Sequence, residues 1–241
     1  MNDLKKLKTI YFIGIGGIMM SAVARFFVDI KKNVLGSDRE ESELTIDLVK
    51  RGAIVNYEQK KENIHDGIDL IVCTAAINSD NPELKQAKKL KIPVCYVYQI
   101  IGFLSREKFC VAVSGMHGKS TTTALTSLVI RNAKLDPTVF VGTKVKEFGG
   151  NFRFGRSKYM VTEACEYKDN FLSLSPDILV INNIEPEHLD YFKNLNNIKK
   201  SFLKLIFQIK PNGYLVVNSD DKNILSILPK IKVIKLYLKY G

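Results

Sequence analysis

The run Ser114-Gly115-Met116-His117-Gly118-Lys119-Ser120-Thr121-Thr122-Thr123 follows an apolar stretch, Phe109 to Val113, and opens an apolar-periodic segment, Thr122 to Arg131. A strand that turns through glycines into a helix, with a lysine and a hydroxyl at the helix start, is a cradle for a polyphosphate. Glycines let consecutive amides curl around one centre, and the helix N-terminus adds partial positive charge. Lys119 then supplies a mobile charge for the outer phosphates, and the Ser120 hydroxyl suits a place in a Mg2+ shell. The spacing is a shortened one, Gly115-x-x-Gly118-Lys119-Ser120, because Val113 stands where the longer phosphate-loop pattern has glycine. The bland alternative is a glycine turn before a Thr-capped helix. The expected nucleotide contacts are Gly115, Met116, His117, Gly118, Lys119, Ser120 and Thr121.

Strand-like and helix-like runs alternate along the whole chain, which predicts an α/β protein with mainly parallel sheets. Strands are expected at Thr9–Ile15, Asn33–Leu35, Ala53–Asn56, Asp69–Thr74 and Pro93–Tyr96, with helices at Ile18–Ile30, at Leu44–Lys50 and after Asn81-Pro82. These compose a Rossmann-like parallel-sheet domain over residues 1–104. The polar run Ser105-Arg106-Glu107-Lys108 reads as a linker into a P-loop-type α/β ATPase domain over residues 105–241. There, strands are expected at Thr138–Val141, Lys158–Thr162, Ile178–Ile181, Tyr214–Val217 and Ile231–Leu236, with a helix carrying Phe202–Ile209.

Composition narrows the function classes. With 46% hydrophobic and 25% charged residues over 241 positions, the chain can bury two cores and is not disordered. Cys73, Cys95, Cys110 and Cys165 show no metal spacing and lie mostly in apolar runs, as buried thiols of a reducing compartment do. The net charge of +11 comes from scattered lysines without interleaved aromatics, which argues against a nucleic-acid interface and suits an anionic substrate. Lys5-Lys6-Leu7-Lys8 before an apolar stretch imitates a secretory signal, but the glycines at 14, 16 and 17 fit a strand-helix turn better, so a cytoplasmic protein is expected. No run of uncharged apolar residues is long enough to span a membrane.

Two further places carry chemistry. Gly14-Ile15-Gly16-Gly17 joins the first strand to its helix as a dinucleotide fold would, and Asp38 ends the second strand where a ribose-binding acid is expected. Met19 occupies the third glycine position of that pattern, which weakens a nicotinamide reading while leaving a diphosphate site open. Farther on, Glu163 and the segment Asn182-Asn183-Ile184-Glu185-Pro186-Glu187-His188-Leu189-Asp190 follow predicted strands and should emerge at the carboxyl edge of the sheet. A hydroxyl (Ser120), a carboxylate (Glu163) and an imidazole (His188) there would hold Mg2+ beside ATP; one histidine alone does not make a zinc site.

These blocks resemble the Mur ligases of peptidoglycan synthesis. The likeness lies in Gly14 to Gly17 with Met20-Ser21, Gly36-Ser37-Asp38, Thr74-Ala75-Ala76-Ile77 with Asn81-Pro82-Glu83-Leu84, and the phosphate loop. It continues through Glu163-Ala164-x-Glu166 and Asn183-Ile184-Glu185-Pro186-x-His188-x-Asp190. The chain departs from the family's usual residues at Met19, Met116 and Ser120. The resemblance implies an ATP- and Mg2+-dependent amide ligase that joins L-alanine to the lactyl carboxylate of UDP-N-acetylmuramate. Lys119, Glu163 and His188 would be catalytic, and Gly14, Gly16, Gly17, Ser37, Asp38, Thr74, Ala75 and Ala76 would line the UDP-sugar pocket. It also implies that the C-terminal domain and part of the central domain are missing, so a noncatalytic nucleotide- or UDP-sugar-binding module is the rival. A ligase that joins a whole peptide to the same sugar is a nearer alternative, and an NAD-linked oxidoreductase a more distant one.

Overall fold

The computed structural model describes Leu4, residues 6–231 and residues 237–240. The chain divides into two compact units, Met1–Ile100 and Ile101–Gly241.

The first unit is built around β1 (Thr9–Ile13), in which Ile10 to Ile13 are at most 1% exposed. Apolar side chains on both faces require cover on both faces, which is the situation of a parallel strand between helical layers. After β1 come α1 (Ile18–Asp29), β2 (Asn33–Ser37), α2 (Glu43–Lys50), β3 (Ile54–Asn56), β4 (Leu70–Cys73), α3 (Pro82–Lys89) and β5 (Val94–Tyr96). The Ser42 side chain caps α2 in a reciprocal box with Thr45, and Asn81 caps α3 ahead of Pro82. The sheet order is β3-β2-β1-β4-β5, with every pair parallel. Because the chain leaves β1 first to one side and then returns to the other, a crevice opens at the carboxyl ends of β1 and β4.

The chain passes between the units through α4 (Val97–Glu107), so Ser105 to Glu107 form the last turn of a helix and not the expected linker. An apolar stretch that includes Val97, Ile100, Ile101 and Leu104 buries one face of α4, and that helical spacing outweighs the polar residues at its end. Then follow β6 (Phe109–Ser114), α5 (Lys119–Asn132), β7 (Thr138–Val145), β8 (Gly150–Arg153), β9 (Tyr159–Glu163), β10 (Ile178–Ile181), α6 (Leu189–Phe192), α7 (Leu195–Ile206), β11 (Tyr214–Asn218), α8 (Lys222–Ile227) and β12 (Tyr237–Tyr240). Among the described residues the sheet order is β12-β11-β10-β6-β9-β7-β8. All neighbours are parallel except β7 and β8.

Apart from the one expected at 231–236, the expected strands recur with shifted ends. The antiparallel strand β8 escaped notice because it begins at Gly150 after Gly149, a pair that reads as a turn. Of the strand expected at 231–236, residues 232–236 lie outside the described residues, and the outer strand is seen at Tyr237–Tyr240. The helix expected around Phe202–Ile209 ends at Ile206 and begins earlier, where Asn194 caps it through the Asn197 amide.

Gly102 sits where α4 runs against Ser173: a Cβ at this position would lie 2.2 Å from the Ser173 carbonyl oxygen. Backbone cannot yield as a side-chain tip does. Gly102→Ala is therefore expected to destabilise the second unit by about 1–3 kcal/mol or more. A urea titration should show a lower midpoint with little change in slope; an unchanged midpoint would contradict the close approach.

Candidate active site

Three neighbouring parallel strands end together in the second unit. Ser114 at the end of β6 is in register with Ile181 of β10, and Val113 with Glu163 of β9. The loop that leaves β6 is thus flanked by whatever follows β9 and β10. Gly115 adopts φ 136° and an added Cβ would come within 3.1 Å of Asn182 Cβ and of the Asn183 nitrogen; Gly118 adopts φ 75° as it starts α5. Glycine at 115 is demanded by both backbone angle and space.

The two asparagines hold the loop in shape. The His117 amide donates to Asn183 Oδ1 at 2.8 Å, and Asn183 Nδ2 donates back to the His117 carbonyl at 3.1 Å. Asn182 Nδ2 donates to the same carbonyl at 3.3 Å and to Thr122 Oγ1 at 3.1 Å. The sequence placed Asn182 and Asn183 in the segment after β10 without separating them from its acids; only contact with the loop reveals their role.

Lys119 lies beneath the loop. Its Nζ donates to the Gly115 carbonyl at 2.6 Å and the Met116 carbonyl at 3.0 Å. It also straddles the Glu166 carboxylate, 3.1 Å from Oε1 and 3.0 Å from Oε2. Glu166 is 1% exposed, so its charge depends on such partners. His188 Nε2 stands 3.4 Å from Glu166 Oε1 on the other side. Ligand atoms of Glu166, Glu187 and His188 all lie within 4.8 Å of one another, a group able to hold a cation. Exposed His117 stands 3.6 Å from both Glu185 and Glu187.

Of the expected residues, Lys119 and His188 meet at Glu166. Glu163, the last residue of β9, is turned elsewhere: Oε1 accepts the Gly142 amide at 2.6 Å, and the group of Glu166, Glu187 and His188 does not include it. Ser120 and exposed Thr121 occupy the first turn of α5, and Met116 is buried in the loop. Glu166 was visible in the sequence as part of the block after β9, and Glu187 as part of the block after β10. Neither was singled out, because nothing in spacing says which of several acids turns inward.

The first unit's glycine turn is held from below. The Gly14 and Ile15 amides donate to the Ser37 carbonyl at 2.8 and 2.9 Å. The Gly16 amide donates to Asp38 Oδ2 at 2.6 Å, so Asp38 already lies on the turn. Ser37 is fully buried and its hydroxyl donates to Glu83 Oε2 at 2.6 Å, which turns that hydroxyl away from a ligand. Glu83, itself fully buried, also accepts the Tyr11 hydroxyl and Asn63 Nδ2, each at 2.7 Å on Oε1. Burial, reinforced by Glu83, pushes the Tyr11 phenol well above its ordinary range. At the end of β4, Thr74 Oγ1 accepts the Ala76 amide at 3.1 Å and leaves Ala75 and Ala76 exposed on the turn. In the sequence Glu83 stood only as part of the block Asn81-Pro82-Glu83-Leu84.

Cys73, Cys95 and Cys110 are free and buried, and Cys165 is half-buried. Burial pushes Cys73 up to about 11 and Cys95 and Cys110 up to about 12, so they are packing residues and not nucleophiles at neutral pH. Among the described residues no helix is long and apolar enough to cross a membrane.

A parallel sheet presenting a glycine-lysine loop beside a buried carboxylate and an imidazole defines a phosphate-loop α/β protein. The match to known families is specific: residues 9–109 match the Mur ligase family catalytic domain and residues 113–240 the Mur ligase middle domain, and the chain belongs to the Mur ligase family. It is 46% identical to the UDP-N-acetylmuramate–L-alanine ligase of Acetivibrio thermocellus over 95% of this chain and 49% of that protein. It is 44% identical to the ligase of the same name from Clostridium tetani, over 95% of this chain and 50% of that protein. The chain spans about half the length of the curated relatives it matches. The solved UDP-N-acetylmuramate-alanine ligase of Thermotoga maritima superposes with a TM-score of 0.84 at 31% identity, covering 98% of this chain and 53% of that one. A Neisseria meningitides ligase of UDP-N-acetylmuramate and a tripeptide shares the fold, with a TM-score of 0.89 at 24% identity, over 98% of this chain and 78% of that one.

Because all three partners of Glu83 are donors, Glu83→Gln turns an amide NH2 toward a donor. The expected cost is about 1–3 kcal/mol in a denaturant titration of the first unit. Tyr11→Phe removes one donor and should be strongly non-additive with it; simple additivity would show that the carboxylate is not shared.

Proposed function

We propose that this chain provides the UDP-sugar and ATP sites of an enzyme that joins L-alanine to the lactyl carboxylate of UDP-N-acetylmuramate. The observation that carries the reading is the Lys119–Glu166–His188 row beneath the phosphate loop, in a chain whose relatives at 44–46% identity bear that ligase name. A carboxylate is a poor acyl donor: its charge repels the amine and oxide does not leave. Attack of a carboxylate oxygen on the γ-phosphorus of ATP breaks the bond to ADP and gives an acyl phosphate; the neutral alanine amine then attacks the carbonyl carbon, phosphate departs with the electron pair of the broken C–O bond, and the nitrogen gives up a proton to solvent.

The chain's own groups supply positioning and charge. Lys119 exchanges its two carbonyl acceptors for the β- and γ-phosphate oxygens, and the amides of Gly115 to Ser120 curl around the same centre. The Glu166 and Glu187 carboxylates and His188, with the Ser120 hydroxyl at the start of α5, make an oxygen-rich donor set that fits Mg2+, whereas Glu163 would have to leave the Gly142 amide to join it. When bound there, Mg2+ neutralises charge on the transferring phosphoryl group. Gly14, Gly16, Gly17, Asp38 and the Thr74–Ala76 turn frame the crevice for the uridine diphosphate, while Ser37 serves through its carbonyl. A cytoplasmic place, where UDP-sugars and ATP are found, belongs to the same reading, as does the absence of nucleic-acid partners.

Calorimetry with a non-hydrolysable ATP analogue tests this. Lys119→Ala should weaken binding by at least about tenfold, the scale of one charge-assisted contact. Since that change also strands Glu166, the double variant Lys119→Ala/Glu166→Gln restores neutrality and should fold normally yet still bind poorly. Wild-type affinity in the double variant would refute the phosphate role. Asp38→Ala should weaken UDP-N-acetylmuramate binding and leave ATP-analogue affinity unchanged; equal loss of both would break the two-site division. Phosphate release that requires UDP-N-acetylmuramate, ATP and L-alanine together separates the ligase from a binding module, and release with a peptide in place of alanine would favour the peptide-joining alternative.

A further inference from the structure

His188 sits in an arrangement that its own backbone does not explain. It adopts φ 52°, a left-handed angle without the excuse of glycine, and Lys168 and Asp169 adopt the same region side by side at φ 52° and 58°. Side-by-side left-handed residues other than glycine are strained and persist only where surrounding contacts hold them. Here the contacts converge on Asp169. Its Oδ2 accepts the Tyr191 hydroxyl at 2.8 Å, and its Oδ1 accepts the Ser201 hydroxyl from the buried face of α7. The Asp169 amide donates to the Glu166 backbone carbonyl at 3.0 Å, so the same residue is tied to the backbone that carries the buried carboxylate.

The other half is aromatic. The Tyr167 ring lies 4.9 Å from the His188 ring and 6.5 Å from the Tyr191 ring, and Lys168 Nζ is 5.5 Å from the Tyr167 centroid. Tyr191 and Phe192 amides both donate to the His188 carbonyl at 3.0 Å. The segment after β9 and the segment after β10 are therefore joined twice, by Tyr167 against His188 and by Asp169 against Tyr191.

We propose that Asp169 is a positioning residue: by gripping Tyr191 and Ser201 together it fixes the Tyr167–His188–Tyr191 cluster and so sets the His188 imidazole against Glu166. That His188 then serves the ligase chemistry rests on the reading above; that Asp169 sets its ring does not.

The test uses the full chain and its three histidines, His65, His117 and His188, whose ring protons give a simple NMR spectrum assignable by single His→Gln changes. Asp169→Gly keeps the left-handed backbone without strain but removes both acceptors. Asp169→Asn keeps a carbonyl acceptor and tolerates the same backbone. Asp169→Gly should move the His188 ring signals out from over the Tyr167 ring while His65 and His117 stay in place, with Asp169→Asn restoring most of the shift and Tyr191→Phe reproducing part of the loss. A merely structural residue would alter the denaturation midpoint without a selective His188 change, and His188 signals unmoved in Asp169→Gly would overturn the proposal. Failure of the unsubstituted chain to bind the ATP analogue, with the selective His188 shift present in Asp169→Gly, would instead count against the proposed function.

Discussion

One ammonium decides the second unit. Lys119 lies within hydrogen-bonding reach of two loop carbonyls and of Glu166, a carboxylate almost wholly removed from water. A buried charge without a partner costs several kcal/mol, so Lys119 and Glu166 need each other as long as nothing else is bound. The same need makes the arrangement responsive: an anion arriving at the loop competes for the lysine, and a cation arriving at Glu166, Glu187 and His188 takes over the carboxylate. The parallel register of β6, β9 and β10 brings these groups to one edge, and the Gly115 backbone permits the approach of Asn182 and Asn183 that fixes the loop. The shape of the loop here follows from strand order, two glycines and one ion pair.

The first unit reverses the signs. A fully buried charge there, Glu83, has no cation beside it among its described hydrogen bonds and is instead solvated by the hydroxyls of Tyr11 and Ser37 and the amide of Asn63. Placement at the start of α3 adds the partial positive charge of a helix N-terminus. Through Ser37 this carboxylate holds the strand end whose carbonyl receives the Gly14 and Ile15 amides. A ligand at the glycine turn thus meets a frame determined by residues that it never touches.

Much of this was legible in the sequence, and the pattern of what was not is physical. Alternating apolar runs and capping residues located most strands and helices, since burial on both faces and cap chemistry leave local marks, as at Asn81-Pro82. The phosphate loop was readable because glycine, lysine and hydroxyl must follow one another in the chain. By contrast, Glu166 and Glu83 become special only through partners 47 and 72 residues away, Lys119 and Tyr11. Glu163, three residues before Glu166, is equally acidic and also buried; only the direction of each side chain distinguishes them. Likewise the inward turn of Ser37 and the helical form of Ser105 to Glu107 depend on what packs against them, which local propensity does not record.

The claim that Lys119 exchanges loop carbonyls for phosphate oxygens is tested most directly by a crystal structure of the chain with a non-hydrolysable ATP analogue and Mg2+. The account predicts the outer phosphates within the curl of Gly115 to Ser120, with Lys119 Nζ on their oxygens and withdrawn from the Gly115 carbonyl. Nucleotide bound elsewhere, or bound in the loop with Lys119 still seated on that carbonyl, would contradict it.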